Sequence, residues 1–294
     1  MSLKKQTFSA LIWTFLDTVF TKGITLFASV LLARTLGPED FGIVGMITIF
    51  IAIGTTLADS GLASSLIRSQ EADEKDYATV FYTNMGISLF VYLLLFAAAP
   101  FIADFYHQAK LTSVVRVYGL SFIISAFSAV QLAIHTKNMQ FKKLMRYSLP
   151  ANLIGVTTGI IMAHRDFGVW SIVGMYLTTQ SVNSILLWMF SDWKPGLYFS
   201  TEKLKKHFDF GNKLMLSGIL NAVFDNIYSV LIGKFFSVRQ LGFYDRAKVF
   251  NNYPVTILTT IIAKVTYPLL SNIQEEKERI SRTYKQILQF TFFV

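Results

Sequence analysis

Long apolar segments separated by short polar connections run along almost the whole chain. Five of these segments carry no charged residue, and they cover residues 41–58, 77–103, 117–136, 147–163 and 167–191. Three more hold one or two charges each, at 8–33, 214–233 and 249–270, and a ninth begins near Gln286. A helix needs about 20 residues to cross the hydrocarbon core of a bilayer. The pattern therefore predicts eight complete transmembrane helices and part of a ninth.

The segments are apolar on all sides, which is typical of helices buried in lipid or in one another. A transmembrane β-barrel would instead show short segments of alternating polarity. The composition agrees, since 53% of residues are hydrophobic, only 15% are charged and the mean hydropathy is +0.46. Connections as basic as "HTKNMQFKKLMRY" argue against core helices of a soluble protein. We expect an all-α integral membrane protein, a multi-span helix bundle.

Positive charges are distributed unequally between the two sets of connections. The connections on the side of the N-terminus hold 16 of the 27 Lys and Arg residues, and the opposite set holds 8. Because cytoplasmic loops are enriched in Lys and Arg, this bias places the N-terminus in the cytoplasm. Basic loops facing anionic lipids also account for the net charge of +9, so nucleic acid is not an expected partner but membrane lipids are.

Two similar phrases lie far apart in the chain, "LLARTLGPEDFGIVGM" at 31–46 and "LIGKFFSVRQLGFYDRA" at 231–247. Aligning Arg34 with Lys234 also aligns Gly42 with Gly242, at a constant offset of 200. An even number of predicted spans separates the two phrases, so both copies have the same orientation across the membrane. Such a parallel repeat predicts two lobes around a central cavity. Residues 1–195 would form a first six-helix lobe and 196–294 the start of an incomplete second lobe.

The first of these phrases contains a turn between two spans. We expect Gly37 and Pro38 to end one helix, and the step Pro38-Glu39-Asp40 to supply an acidic N-terminal cap for the next.

Three phrases together resemble a known family, namely "LARTLGPEDFGIVGM", "DSGLASSLIRS" and "LIGKFFSVRQLGFYDRAKVFNNYPV". They are similar to the polysaccharide transporters, the oligosaccharide-lipid flippases of the superfamily that also contains the multidrug and toxin extruders. The resemblance implies a substrate built from an oligosaccharide on polyprenyl pyrophosphate, moved from the cytoplasmic to the outer leaflet of the bacterial cytoplasmic membrane. It also implies export for surface polysaccharides such as O-antigen, and polysaccharide polymerase machinery as a partner. Members have two six-helix lobes, so we expect this chain to be an N-terminal fragment, the alternative being that another chain supplies the rest of the second lobe.

Ionisable residues within predicted spans are the natural candidates for a substrate path, because an unpaired charge in the hydrocarbon core costs several kcal/mol. They are Asp17 and Lys22 in the first span, Lys213 and Asp225 in the seventh, and Lys264 in the eighth. Asp17 precedes Lys22 by five residues, about 140° apart around a helix, so the two are not expected to pair. Lys22 is the deepest cation of the first lobe, and Asp225 is a possible carboxylate partner for it. Lys213 lies near a span end, where its ammonium can reach the headgroups.

Uncharged polar residues in the spans allow two interpretations. They can line the cavity and meet sugar hydroxyls, or they can form hydrogen bonds between helices. The residues concerned are Asn84, Gln131, Gln180, Asn183, Asn221 and Asn226.

Signals for an enzyme are weak. The four histidines are scattered without metal-ligand spacing, there is no Walker-type phosphate loop, and the absence of cysteine excludes a thiolate metal site. We expect no cofactor other than a coupling ion, H⁺ or Na⁺. Two rival functions remain: a multidrug exporter of the same superfamily, and a membrane glycan polymerase or ligase. A glycan polymerase or ligase would need a sizeable outer loop, and the outer connections in this sequence are short.

Overall fold

A computed structural model describes residues 3–272 and the isolated positions 281, 285 and 289. Within that part of the chain the backbone forms α-helices and no strand. The long helices are α1 (Leu3–Thr35), α2 (Pro38–Asp59), α4 (Glu74–Tyr106), α6 (Leu120–Lys137), α7 (Phe141–His164), α8 (Val169–Met189), α9 (Thr201–Phe235) and α10 (Val238–Asn272). Two short helices, α3 (Leu62–Arg68) and α5 (Lys110–Tyr118), lie between them.

Each of the eight complete predicted spans coincides with a long helix, and the all-α fold class is confirmed. Five stretches are long and apolar enough to cross a membrane: Ile12–Thr35, Pro38–Asp59, Glu74–Tyr106, Lys110–Lys137 and Thr201–Phe235. Helices α7, α8 and α10 are not among these five stretches, but their 24, 21 and 35 residues also reach the length that a crossing needs. The ninth predicted span lies almost wholly outside the described residues.

The surface of the bundle carries large apolar side chains. Phe90 is 62% exposed, and Phe101 and Phe224 are each 75% exposed. Such exposure is a liability in water but is expected where helices face lipid chains.

The turn between α1 and α2 follows the prediction in part. Pro38 occupies the first turn of α2, where a missing N–H costs nothing, and Glu39 and Asp40 follow it. The expected acidic start of α2 is confirmed, since both carboxylates lie in its first turn. The N-cap residue is Gly37, and no side chain forms a capping hydrogen bond. The two carboxylates therefore act on the helix through its dipole.

The repeat appears directly in the packing. Helices α2 and α10 begin at Pro38 and Val238, 200 residues apart. A Cβ atom on Gly42 would clash with the carbonyl oxygen of Val238, and one on Gly242 would clash with the carbonyl oxygen of Pro38. These contacts are reciprocal, as a two-fold axis between the hinges requires. Both hinges thus lie at the same end of the bundle, and α1 and α9 run in the same direction.

The opposite end joins the two parts of the chain as well. Gly61 and Gly211 approach so closely that a Cβ atom on either would collide with the other's backbone. Tyr267 of α10 donates a hydrogen bond of 2.9 Å to the carbonyl oxygen of Ser64 in α3. Helices α9 and α10 therefore contact the first eight helices at both ends of the bundle.

Candidate functional site

A charged contact inside the bundle joins three helices. The Oδ2 atom of Asp17 in α1 lies 3.5 Å from the Nζ atom of Lys264 in α10. The hydroxyl of Ser148 in α7 donates a hydrogen bond to Oδ1 of the same carboxylate. The Asp17 side chain is 12% exposed and that of Lys264 is 46% exposed. The carboxylate is thus held in place from two sides, whereas the ammonium remains open to its surroundings.

Asp17 lies on the packed face of α1. Thr14 and Thr18, on the same face, are 1% and 2% exposed, and neither hydroxyl has a hydrogen-bond partner. One turn after Ser148 in α7, Asn152 donates to the Ser148 carbonyl oxygen over 2.8 Å. The carboxylate therefore enters a polar strip between α1 and α7, which lowers the cost of keeping it charged.

Lys22 lies one and a half turns further along α1 and is half-buried. The hydroxyl of Tyr253 in α10 donates to the Lys22 carbonyl oxygen. The Lys22 ammonium forms no ion pair with any residue that the structure describes. Asp17 pairs with a residue other than Lys22, as expected from the angle of about 140° between these two positions around α1. Lys264 is paired with Asp17, and Lys22 has no carboxylate partner among the described residues, so the two lysines and one aspartate leave a net positive charge.

The other three predicted path residues lie elsewhere. Asp225, Lys213 and Asn221 are all exposed on α9. The possible pairing of Lys22 with Asp225 is not formed, and the ammonium of Lys248 donates to the backbone carbonyl oxygen of Asp225. The packed face of α9 carries small residues such as Gly218, which rests against α2, so its longer polar side chains point elsewhere.

The uncharged polar residues do not join helices in the way that one interpretation expected. Asn226 and Gln180 form their hydrogen bonds within their own helices, to the Ala222 carbonyl oxygen and the Tyr176 hydroxyl. Asn84 and Gln131 are fully buried, and neither amide has a partner.

A second polar cluster lies where α3, α4 and α9 meet. His207 places Nδ1 2.8 Å from the Ser65 hydroxyl and Nε2 3.0 Å from the Asp76 carboxylate. Lys203 adds a 2.7 Å contact to Asp76. The order of groups is that of a hydrolase triad, but His207 is 1% and Ser65 6% exposed, so no substrate reaches them. The cluster is a structural link between α9 and the first eight helices.

Sequence reasoning missed Ser148 and Tyr253. A single serine or tyrosine in an apolar span is ordinary, and nothing in the pattern marks these two as partners of α1. Within the described residues, no group of three or more His, Asp or Glu side chains could hold a metal ion.

Comparison with known proteins identifies the family. The profile of a family described as "Polysaccharide biosynthesis protein" matches residues 31–294. The chain belongs to this polysaccharide biosynthesis family. The resemblance of the three sequence phrases is thereby confirmed.

Relatives within and around the polysaccharide biosynthesis family carry names from several glycan systems. The chain is 26% identical to the lipopolysaccharide biosynthesis protein WzxC of Escherichia coli over 98% of its length, and 26% identical to the teichuronic acid biosynthesis protein TuaB of Bacillus subtilis over 95%. It is 24% identical to the succinoglycan biosynthesis transport protein ExoT of Rhizobium meliloti over 95%. The chain spans 59%, 58% and 56% of these relatives.

Solved structures of similar shape are transporters. The MATE multidrug transporter DinF-BH matches with a TM-score of 0.66 at 13% identity, over 92% of this chain and 66% of its own. An inward-facing multidrug resistance MATE family transporter matches with a TM-score of 0.60 at 16% identity, over 97% of this chain and 67% of its own. At these identities the likeness shows that this member of the polysaccharide biosynthesis family has the same fold, and no more.

Proposed function

We propose that the complete protein is a flippase for lipid-linked oligosaccharide. Its substrate is an oligosaccharide on polyprenyl pyrophosphate, and it moves this lipid from the cytoplasmic to the outer leaflet of the bacterial cytoplasmic membrane. Membership of the polysaccharide biosynthesis family supports a substrate that contains a glycan. The names of the relatives support a role in making surface polysaccharides. The helical transporter fold supports movement across the membrane.

The observation that carries the proposal is the excess of positive charge beside Asp17. A pyrophosphate that crosses the bilayer core loses its hydration, and it needs fixed cations along its path. Lys264 is neutralised in part by Asp17, but Lys22 has no described carboxylate partner. The Lys22 ammonium is thus the group available to an anionic headgroup, and the half-exposed Lys264 adds a second donor.

The direction of transport rests on the topology proposed from the charge bias. With the N-terminus in the cytoplasm, the end that carries the inner Lys and Arg residues faces the leaflet where the lipid-linked glycan is assembled. We assign no catalytic step to the protein, because the Ser65–His207–Asp76 cluster is buried and cannot contact a substrate. The protein binds and moves its lipid without breaking a bond.

A multidrug exporter is the competing function, since the structural neighbours are drug transporters. An exporter of hydrophobic cations needs an exposed acidic group in its path. Asp17, the carboxylate at the candidate path, is already bound by Lys264 and Ser148. The charge of the site therefore favours an anionic substrate.

The test is restoration of surface polysaccharide in a bacterium that lacks its own flippase and makes a matching lipid-linked glycan. The whole protein, as its gene encodes it, is compared with Lys22→Ala and Lys22→Arg at equal expression. We expect Lys22→Ala to lose most of the export. Lys22→Arg should keep part of it, because arginine preserves the charge but changes its shape and position.

The matched control is Lys110→Ala, which removes an exposed lysine at the start of α5, outside the charged site. It should export as the wild type does. Export by Lys22→Ala at the wild-type level would contradict the role of this residue. Failure of the wild type to restore the polysaccharide, combined with resistance to cationic drugs, would favour the exporter.

A further inference from the structure

Helix α3 lies between two different sets of contacts at the end of the bundle opposite the hinges. It has seven residues, Leu62–Arg68, and it follows two left-handed residues, Ser60 and Gly61, whose φ angles are 48° and 65°. A helix of this length is unstable in isolation, so its surroundings must hold it in shape. One set of contacts is apolar and the other is polar.

Apolar packing anchors one side of α3 to the first part of the chain. Leu62 and Leu66 are fully buried. Their hydrophobic cluster also contains Val80 and Phe81 of α4 and Val130 of α6. Because separating these groups would expose large apolar side chains, α3 stays attached to α4 and α6.

The carbonyl groups of α3 accept hydrogen bonds from α10. The last carbonyl groups of a helix have no partner within that helix. The Ser271 hydroxyl lies 3.4 Å from the Ile67 carbonyl oxygen and 3.3 Å from the Arg68 carbonyl oxygen, and it donates to this pair. One turn earlier, the Tyr267 hydroxyl donates to the Ser64 carbonyl oxygen over 2.9 Å. Helix α10 therefore caps the C-terminal turn of α3 from across the interface.

Helix α9 also binds α3 through polar side chains. The buried Ser65 hydroxyl lies 2.8 Å from Nδ1 of His207. The guanidinium of Arg68 lies 4.5 Å from the centre of the Phe210 ring. The second part of the chain thus contacts α3 through hydrogen bonds and a cation–π contact, in contrast to the apolar packing on the other side.

The two sides of α3 respond differently when the two parts of the chain separate. Hydroxyl and carbonyl groups that lose each other can bind water instead, so the net cost of parting them is small. The buried leucines have no such replacement. Separation therefore takes place on the polar side of α3, between this helix and α9 and α10.

We propose that α3 is a latch whose last turn is helical only while α10 caps it. When α9 and α10 move away, the carbonyl groups of Ser64, Ile67 and Arg68 lose their donors, and the turn opens while Leu62 and Leu66 stay anchored. With the N-terminus in the cytoplasm, this end of the bundle faces the cytoplasm. The latch then closes the end at which the lipid-linked glycan enters, a role that rests on the proposed function.

The first test is amide hydrogen exchange of the purified whole protein in detergent, followed by mass spectrometry. The double variant Tyr267→Phe/Ser271→Ala removes both capping hydroxyls and little else. Exchange at residues 66–69 should become at least about twofold faster, as the loss of hydrogen bonds of ordinary net strength predicts. Val80 and Phe81 should exchange as in the wild type.

The matched control is Tyr253→Phe, which removes another α10 hydroxyl that donates to a carbonyl oxygen of a different helix, that of Lys22 in α1. It should leave exchange at residues 66–69 unchanged. Thermal unfolding followed by fluorescence establishes that each variant is folded. If the double variant is not folded, Ser271→Ala alone decides.

A reversible cross-link tests whether the latch must open. The Nζ atom of Lys203 in α9 lies 3.0 Å from Oδ1 of Asp73, just before α4. Cysteines at these two positions of the cysteine-free chain can be joined by a short, reducible bifunctional thiol reagent. In proteoliposomes, the cross-linked protein should transfer polyprenyl-pyrophosphate oligosaccharide no faster than protein-free vesicles do, and reduction should restore transfer. Each single-cysteine variant, treated in the same way, should transfer the lipid throughout.

The outcomes separate the latch from the flippase. Unchanged exchange at residues 66–69 in the double variant, or an equal rise in Tyr253→Phe, would overturn the capping of α3 by α10. Equal transfer before and after reduction of the cross-link would overturn the latch. If neither the wild type nor the reduced protein transfers the lipid, the proposed function is wrong, and the exchange result still decides the capping.

Discussion

The reciprocal glycine contact between the two hinges makes a sharp prediction for Gly42→Ala. The added methyl group would meet the carbonyl oxygen and side chain of Val238. A flexible side chain could turn away, but a helix backbone cannot, so α2 and α10 must move apart. Overpacking of this kind costs about 1–3 kcal/mol.

Gly86→Ala is the matched control, because Gly86 lies within α4 and has no heavy atom within 4 Å of an added Cβ. Both substitutions gain about the same helix propensity, roughly 1 kcal/mol. The difference between the two variants therefore isolates the contact with Val238. It should place the unfolding temperature of Gly42→Ala several degrees below that of Gly86→Ala, at about 2–4 °C for each kcal/mol.

The assay is thermal unfolding of the purified variants in one detergent, followed by intrinsic fluorescence. Gly242→Ala alone should behave like Gly42→Ala, since it presses on the equivalent carbonyl of Pro38. The double variant should lose less than the two single losses together, because both methyl groups separate the same pair of helices. Equal unfolding temperatures for Gly42→Ala and Gly86→Ala would refute the reciprocal contact.

Two other predictions concern the ion pair and the topology. Asp17→Asn and Lys264→Gln should each lower the free energy of unfolding. The double variant should lose less than the sum of the two single losses, with a coupling of about 0.5–3 kcal/mol in a thermodynamic cycle. Strictly additive losses would mean that the pair does not interact. Cysteines placed in this cysteine-free chain at exposed residues should label with an impermeant reagent in whole cells only on the outer side, at Arg165 and Phe243 and not at Leu197 or Phe199. Labelling in the reverse pattern would invert the topology.

Much of the fold could be predicted because the bilayer imposes it. The apolar segments had to be helices of sufficient length, and the turn at Gly37 and Pro38 marked one boundary to within a few residues. The offset of 200 between the hinges anticipated the start of α10. The short helices α3 and α5 were not predicted, because seven and nine residues give too little periodicity to recognise. The division into lobes at residue 195 stays a prediction.

The candidate site was predictable only as a list of charges. The partners of Asp17 lie 131 and 247 residues further along the chain, and no local pattern connects them. Asp225 was a possible partner for Lys22, but it is exposed on α9, whose rotation about its axis depends on packing against α2.

We propose that the protein moves an anionic, glycan-bearing lipid across a bilayer. The most direct measurement follows polyprenyl-pyrophosphate oligosaccharide in proteoliposomes, with an impermeant glycosidase reporting how much glycan has reached the outer leaflet. We expect faster transfer with the wild type than with protein-free vesicles or Lys22→Ala, and little acceleration for the same glycan on an uncharged polyprenyl carrier. Transfer no faster than in protein-free vesicles, or equal acceleration of the charged and uncharged lipids, would contradict it.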